Sequence, residues 1–186
     1  VAPYKGKDIY HYYGNWDWWD YLYNDWMPSH SHNINVSGGS EKVNYMISAS
    51  YYHKDGLLTK NTEKNDRFTI MTKLNIQLTD WLKITNNVQY YDRKYTYPGK
   101  EAETDENWQN TNLHALPAYA PVNPDGTFSY NTMKNRYSIA DGRAANLMSD
   151  VSKGKKGQHE LKETLALEAI IMPNLIFKAD YTFQFY

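Results

Sequence analysis

Residues 8–27 hold the densest run of side chains able to handle a ligand. Trp16, Trp18, Trp19, Tyr21, Tyr23 and Trp26 alternate there with Asp17, Asp20 and Asp25. Flat aromatic faces stack on the C–H faces of sugars, and neighbouring carboxylates accept hydrogen bonds from hydroxyls. Trp16, Trp18, Trp19, Tyr21 and Trp26 are therefore the candidate substrate-binding residues. The same rings would also pack a loop onto a barrel rim, where Trp and Tyr concentrate, and that role is favoured over ligand contact. No Lys or Arg stands among the rings, which argues against a nucleic-acid stacking platform.

Other reactive groups carry weaker signals. His30 and His32 share one face of a strand, as a pair of metal ligands would, but they continue the parity of Ile34 and Val36 and read better as rim residues. Glu101, Glu103, Asp105 and Glu106 lack the spacing of a calcium loop and read as a solvated acidic stretch. Lys153, Lys155 and Lys156, set between Gly154 and Gly157, would suit lipid phosphates or a flexible loop. No catalytic triad order, HExxH, Walker or GxGxxG motif occurs. The absence of Cys removes disulfides, thiolate metal sites and Cys nucleophiles. The expectation is a protein with no catalytic residues, no metal and no cofactor, and hence no enzyme.

The elements that must position these residues are strands. Ile34 and Val36 alternate with Asn33, Asn35 and Ser37. After the turn from Gly38 to Glu41, Val43, Tyr45, Ile47, Ala49 and Tyr51 take one face and Asn44, Ser48 and Ser50 the other, with Met46 an exception. Phe68 to Leu78, Leu82 to Tyr90, Leu161 to Ile171 and Leu175 to Phe185 repeat the alternation. Glu163 breaks it and is expected at a loop end or a bulge. Within the long stretch before Leu161, Asn123-Pro124-Asp125-Gly126 predicts a small separate hairpin.

Six strands of about 8 to 13 residues suit a tilted bilayer crossing, which needs about 9 to 11. Their connections alternate between tight turns and long loops, the pattern of an outer-membrane barrel. The chain of 186 residues has 16% aromatics, including 18 Tyr and 6 Trp, a mean hydropathy of −0.80 and a net charge of −1. It lacks the run of roughly 20 apolar residues that a spanning helix requires, but strands that alternate do not need one. Six strands cannot close a barrel, and an open edge in lipid leaves unpaired amides that each cost several kcal/mol. The fold class expected is therefore all-β, a partial antiparallel transmembrane β-barrel with short periplasmic turns and long extracellular loops. In that frame residues 1–29 are an aromatic-rich extracellular loop and 30–92 four barrel strands in two hairpins. Residues 93–159 are a long extracellular loop, and 160–186 a truncated barrel hairpin. The sequence is expected to be a piece of a longer protein. The alternative is a soluble all-β module that binds glycans through its aromatic residues.

Asp17-Trp18-Trp19-Asp20, the run from His32 to Tyr45, Ser48 to Gly56, Arg67-Phe68 and Lys73-Leu74-Asn75 together resemble the early-barrel region of SusC/RagA-type TonB-dependent transporters. The resemblance implies a 22-stranded barrel in the outer membrane of a Gram-negative bacterium, with a plug inside. It implies import of oligosaccharides, or of peptides, driven by TonB through the plug, beneath a SusD-like surface lipoprotein. Outer-membrane lipid would surround the barrel, and no nucleic acid is involved. Asn33, Asn35, Asn44, Ser48, Lys73, Asn75, Thr85, Asn87 and Gln89 would face the interior and meet the plug.

Overall fold

The structure, a computed structural model, describes residues 2–4, 7–9, 14–98, 116–118, 120–128, 148–149 and 153–186. The acidic stretch from Glu101 to Glu106 lies outside the described residues. In chain order the elements are β1 (Ala2–Tyr4), β2 (Lys7–Ile9), α1 (Trp18–Leu22), β3 (Ser29–Gly39), β4 (Val43–Asp55), β5 (Lys64–Thr79), β6 (Leu82–Pro98), β7 (Lys153–Met172) and β8 (Leu175–Phe185). They fall into two compact units. One comprises Val1–Pro28, Asp55–Lys64 and Thr96–Lys155, the other Ser29–Lys54, Asn65–Tyr95 and Lys156–Tyr186.

The second unit is an antiparallel sheet in the order β3-β4-β5-β6-β7-β8, so each strand pairs with its neighbour in the chain. Side-chain alternation sets the register, because a slip of one residue would exchange the two faces. Val36 lies opposite Ile47 and Ile34 opposite Ala49, while Asn35 meets Ser48 and Asn33 meets Ser50. Leu165 lies opposite Tyr181 and Ala169 opposite Phe177, while Thr164 meets Thr182 and Glu168 meets Lys178. The β3–β4 turn closes with Ser40 N–H donating to Val43 O at 2.6 Å. A Cβ on Gly39 would collide there with the Val43 carbonyl oxygen. Gly38 lies opposite Tyr45, whose ring would strike a Cβ at that position.

Three sequence expectations meet their outcome here. Glu163 stands inside β7, away from either end, and the register shift of this hairpin falls instead between Ile170 and Met172. It stays in the ladder because Asn86 Nδ2 donates to its Oε1 at 2.8 Å, so its polar oxygen has a partner. Strand backbone also runs further than the alternation alone indicated, to Pro98 in β6 and from Lys153 in β7. The Asn123–Gly126 segment forms a turn of its own, with Gly126 at φ +85° and Asn123 N–H donating to Thr127 O at 2.7 Å.

The sheet has no sealed core. On its apolar face Ile34, Ile47, Phe177, Tyr181 and Phe185 are all exposed, Ile34 to 68%. Ala169 is the buried hydrophobic residue that the sheet unit contributes among the described residues. The first unit is built the other way. Trp18, Leu22, Tyr23, Leu58 and Met148 bury one another, with Trp16, Tyr21, Leu57 and Phe128 packed around them. Full burial of a Leu such as Leu22 or Leu58 stabilises by about 1.5–3 kcal/mol.

Candidate functional site

The aromatic segment is shaped by a short helix. Asp17 caps α1, its Oδ1 accepting from Trp19 N at 2.9 Å and Asp20 N at 3.2 Å. These bonds satisfy amides that a helix start leaves unpaired. The helical repeat turns Trp18 and Leu22 inward and leaves Trp19 on the outer side. Trp18 Nε1 donates to Leu116 O at 2.9 Å, so its polar edge is satisfied within the packed cluster. Trp16 N–H donates to Pro117 O at 2.9 Å and Thr59 N–H to Leu22 O at 2.9 Å. The chain segments around 16–23, 57–59 and 116–117 are therefore stitched together by backbone as well as by side chains.

Of the five candidate residues, the structure brings three together. Tyr21 meets Trp16 edge-on at 6.2 Å between ring centroids and Trp18 at 5.9 Å. Trp19 stands apart, exposed, over Tyr23 at 4.6 Å. Trp26 is 81% exposed. Asn15, Trp16, Asp17, Trp18 and Pro117 line a cleft of about 340 Å³. This cleft offers a half-exposed indole beside a carboxylate, which is the chemistry of a sugar platform. Tyr21 Oη is buried without a partner among the described residues, and burial raises its pKa above the ordinary phenol value.

The polar face of the sheet forms a second concave surface. Asn75 and Thr85 share it, joined by Thr85 Oγ1 donating to Asn75 Oδ1 at 2.9 Å. Arg93 Nε donates to Asn65 at 2.9 Å, and Arg67 lies over the Tyr52 ring at 5.1 Å. Lys178 pairs with Glu168 at 3.0 Å. A cavity of about 410 Å³ opens on this face, lined by Met46, Met71, Lys73, Asn87, Gln89 and Lys162 among others.

At one end of the apolar face the side chains turn polar. His30 lies opposite His53 and His32 opposite Tyr51. The His30 ring stands 5.0 Å from His53 and 5.3 Å from His32. Asp66 Oδ1 contacts His53 Nδ1 at 2.7 Å and accepts from Tyr51 Oη at 2.8 Å. Among the described residues no group of three His, Asp or Glu side chains has the arrangement of a metal site. His53 and Asp66 escaped the sequence reading, although the turn register, counted outward from Gly39 opposite Asn44, already brings His30 to His53. Lys162 escaped as well, because the regularity of β7 becomes legible only once Glu163 is placed.

An up-and-down antiparallel meander with an uncovered apolar face and a polar opposite face is part of a β-barrel. Comparison with curated proteins narrows this class. The chain is 28% identical over 136 residues to TonB-dependent receptor P3 of Formosa agariphila, a match over 68% of this chain and 13% of that receptor. It is 31% identical over 119 residues to TonB-dependent receptor P26 of the same organism, over 63% of this chain and 11% of that receptor. The chain thus spans only about an eighth of the length of the relatives it matches. No family model matches. The two matches support a segment of TonB-dependent receptor kind.

Proposed function

We propose that this chain is a segment of a SusC/RagA-type TonB-dependent transporter that imports oligosaccharides, or peptides, across the outer membrane of a Gram-negative bacterium. A SusD-like surface lipoprotein caps the barrel in this reading, and TonB acts through a plug. Substrate captured beneath the cap enters when TonB pulls the plug aside, without bond-making by the barrel itself. The aromatic segment is then an extracellular loop. Trp16, with Trp19, Tyr21 and Trp26, is available to substrate or cap, and Trp18 holds the platform in place.

One observation supports this reading above the rest: two exposed faces of opposite chemistry on one sheet. On β5 the apolar face runs from Phe68 to Leu78. Ten residue steps of about 3.3 Å, tilted by about 45°, cover about 23 Å, close to the ~25 Å apolar band of an outer-membrane barrel. Hydrocarbon supplies the missing cover on that side, and a hydrated interior bathes the amides and hydroxyls on the other.

The test is accessibility along alternating positions in the whole receptor, reconstituted in lipid. Nitroxide labels at Ile47, Leu74 and Phe177 are expected to respond to oxygen, which partitions into lipid. Labels at Asn35, Ser48 and Thr182 are expected to respond to a water-soluble nickel chelate. Equal response of both sets to the nickel chelate would overturn the reading. Cooperative unfolding of the isolated chain as a detergent-free monomer would do the same and favour a soluble glycan-binding module. Co-purification of a surface lipoprotein with the whole receptor tests the cap.

A further inference from the structure

The polar face of the sheet carries a charge asymmetry that the chain as a whole conceals. The total formal charge is −1. Yet alternate residues of β5 and β6 place Arg67, Lys73, Lys83 and Arg93 on this face, and no Asp or Glu. Their opposite face carries both signs, Lys64 and Asp66 on β5 and Asp92 and Lys94 on β6. β7 adds Lys162, which lines the same cavity as Lys73. The acids that β7 and β8 place on this face are partly engaged elsewhere: Glu160 accepts from Gln184, and Glu168 pairs with Lys178 beside Asp180.

The cations differ in what they already hold. Arg93 is bonded to Asn65 and Arg67 is stacked on Tyr52. Lys178 is paired with Glu168. Lys73 and Lys162 have no ion pair and no hydrogen bond among the described residues, and both are exposed. Gln89, also exposed, has an amide with no hydrogen bond among the described residues, able both to donate and to accept. Met46 and Met71 add exposed, adaptable apolar surface to the cavity. Two ammoniums without an ion pair among the described residues, in a concave surface with a low-dielectric wall, raise the local concentration of anions.

We propose that this cavity is a subsite for the acidic groups of a substrate, specifically an oligosaccharide bearing carboxylates or sulfates. The proposal rests on the transport reading and gives it a substrate class. Lys73 and Lys162 take the anionic oxygens. The Gln89 amide and the Asn and Thr groups around it exchange hydrogen bonds with the flanking hydroxyls, which like them both donate and accept. The methionines lie against the C–H faces of the ring. A peptide brings fewer hydroxyls to this amide-rich lining, so the saccharide fits it better.

The test uses the whole receptor in lipid nanodiscs and calorimetric titration with four probes: tetragalacturonate, a sulfated tetrasaccharide, maltotetraose and tetraglutamate. At least one acidic saccharide is expected to bind about tenfold more tightly than maltotetraose, and the preference is expected to shrink between about 0.05 M and about 0.5 M salt. The Lys73→Gln/Lys162→Gln receptor is expected to lose about tenfold for the acidic saccharide and nothing for maltotetraose, and Lys73→Arg/Lys162→Arg to restore binding. If the Gln variant does not fold, the salt dependence of the unaltered receptor still decides. No preference for either acidic saccharide, or a preference indifferent to salt, overturns the proposal. Equal or tighter binding of tetraglutamate overturns it in favour of an acidic peptide. Unchanged saccharide binding with a lowered unfolding temperature in the Gln variant overturns it in favour of a plug contact. The label-accessibility pattern separates these results from failure of the transport reading, because an alternating pattern with no acidic preference sinks the subsite alone.

Discussion

The two units of this molecule dispose their apolar side chains in opposite ways. Around α1, Trp18, Leu22, Tyr23, Leu58 and Met148 make a cluster sealed by the protein itself, and Leu22 and Leu58 are 1% exposed. In the sheet, side chains of the same kind stand in the open: Phe177 is 54% exposed and Tyr181 61%. The sheet is a continuous hydrogen-bonded ladder, yet by itself it gains little from the hydrophobic effect, because its apolar side chains stand exposed. The difference teaches that hydrophobicity specifies a sealed core in one unit and an open apolar face in the other. The aromatic unit is organised by packing, and the sheet by register, with its apolar face left open.

The sharpest way to break that comparison is to make the same kind of injury in both units. Leu58→Ala removes a side chain from a sealed cluster and is expected to cost about 2–5 kcal/mol, read as early protease cleavage within residues 14–62 of the whole receptor. The counterpart in the sheet is Ile34→Ala. At a 68% exposed position it opens no cavity and is expected to leave that cleavage unchanged. Next in size is charge. Tyr181→Arg places a cation on the apolar face midway along β8 and is expected to cost about 2–4 kcal/mol, measured by denaturant titration in lipid vesicles. Asn35→Arg on the polar face is expected to cost less than about 1 kcal/mol. Equal costs for the two arginines would end the claim that the faces meet different solvents.

The sequence revealed the sheet unit far better than the aromatic one, and the reason is physical. A period of two is a local signal, so β3, β4 and the β7–β8 hairpin could be read from neighbours in the chain. Pairing is less local, and it is pairing that assembles His30, His53 and Asp66 from three strands. The aromatic cluster is less legible again. Nothing in Trp16 to Trp26 announces that Trp18 will donate to the carbonyl of Leu116, or that Leu58 and Met148 will close over it. Glu163 shows the limit of pattern alone, since its partner Asn86 is 77 residues away and made a bulge unnecessary.

A smaller effect is expected where the aromatic unit meets water. Asp17→Ala removes the acceptor for two amides at the start of α1 and is expected to cost about 1 kcal/mol. The readout is faster amide exchange at Trp19 and Asp20, with the exchange of β3 and β4 unchanged. A matching loss of protection in β3 and β4 would show that the two units do not hold their structure separately.

The smallest effect lies in the turn at Asn123–Gly126. Thr127 Oγ1 donates to Asp125 Oδ1 at 2.6 Å and Thr127 N–H at 3.0 Å. The hydroxyl bond first, and the amide bond after it, hold the Asp125 carboxyl below the usual carboxylate range. A lowered folded-state pKa means that the ionised form favours the turn. That contribution is present above the unfolded pKa of about 3.9 and is lost as pH falls through the lower folded value. Acidification from about pH 6 to about pH 2.5 is therefore expected to speed amide exchange at Thr127, after correction for the intrinsic pH dependence of exchange. Asp125→Asn is expected to abolish that acid response. A turn that keeps its protection in acid would show that Gly126 and the Asn123 backbone bonds suffice to hold it, leaving its carboxylate without a structural role.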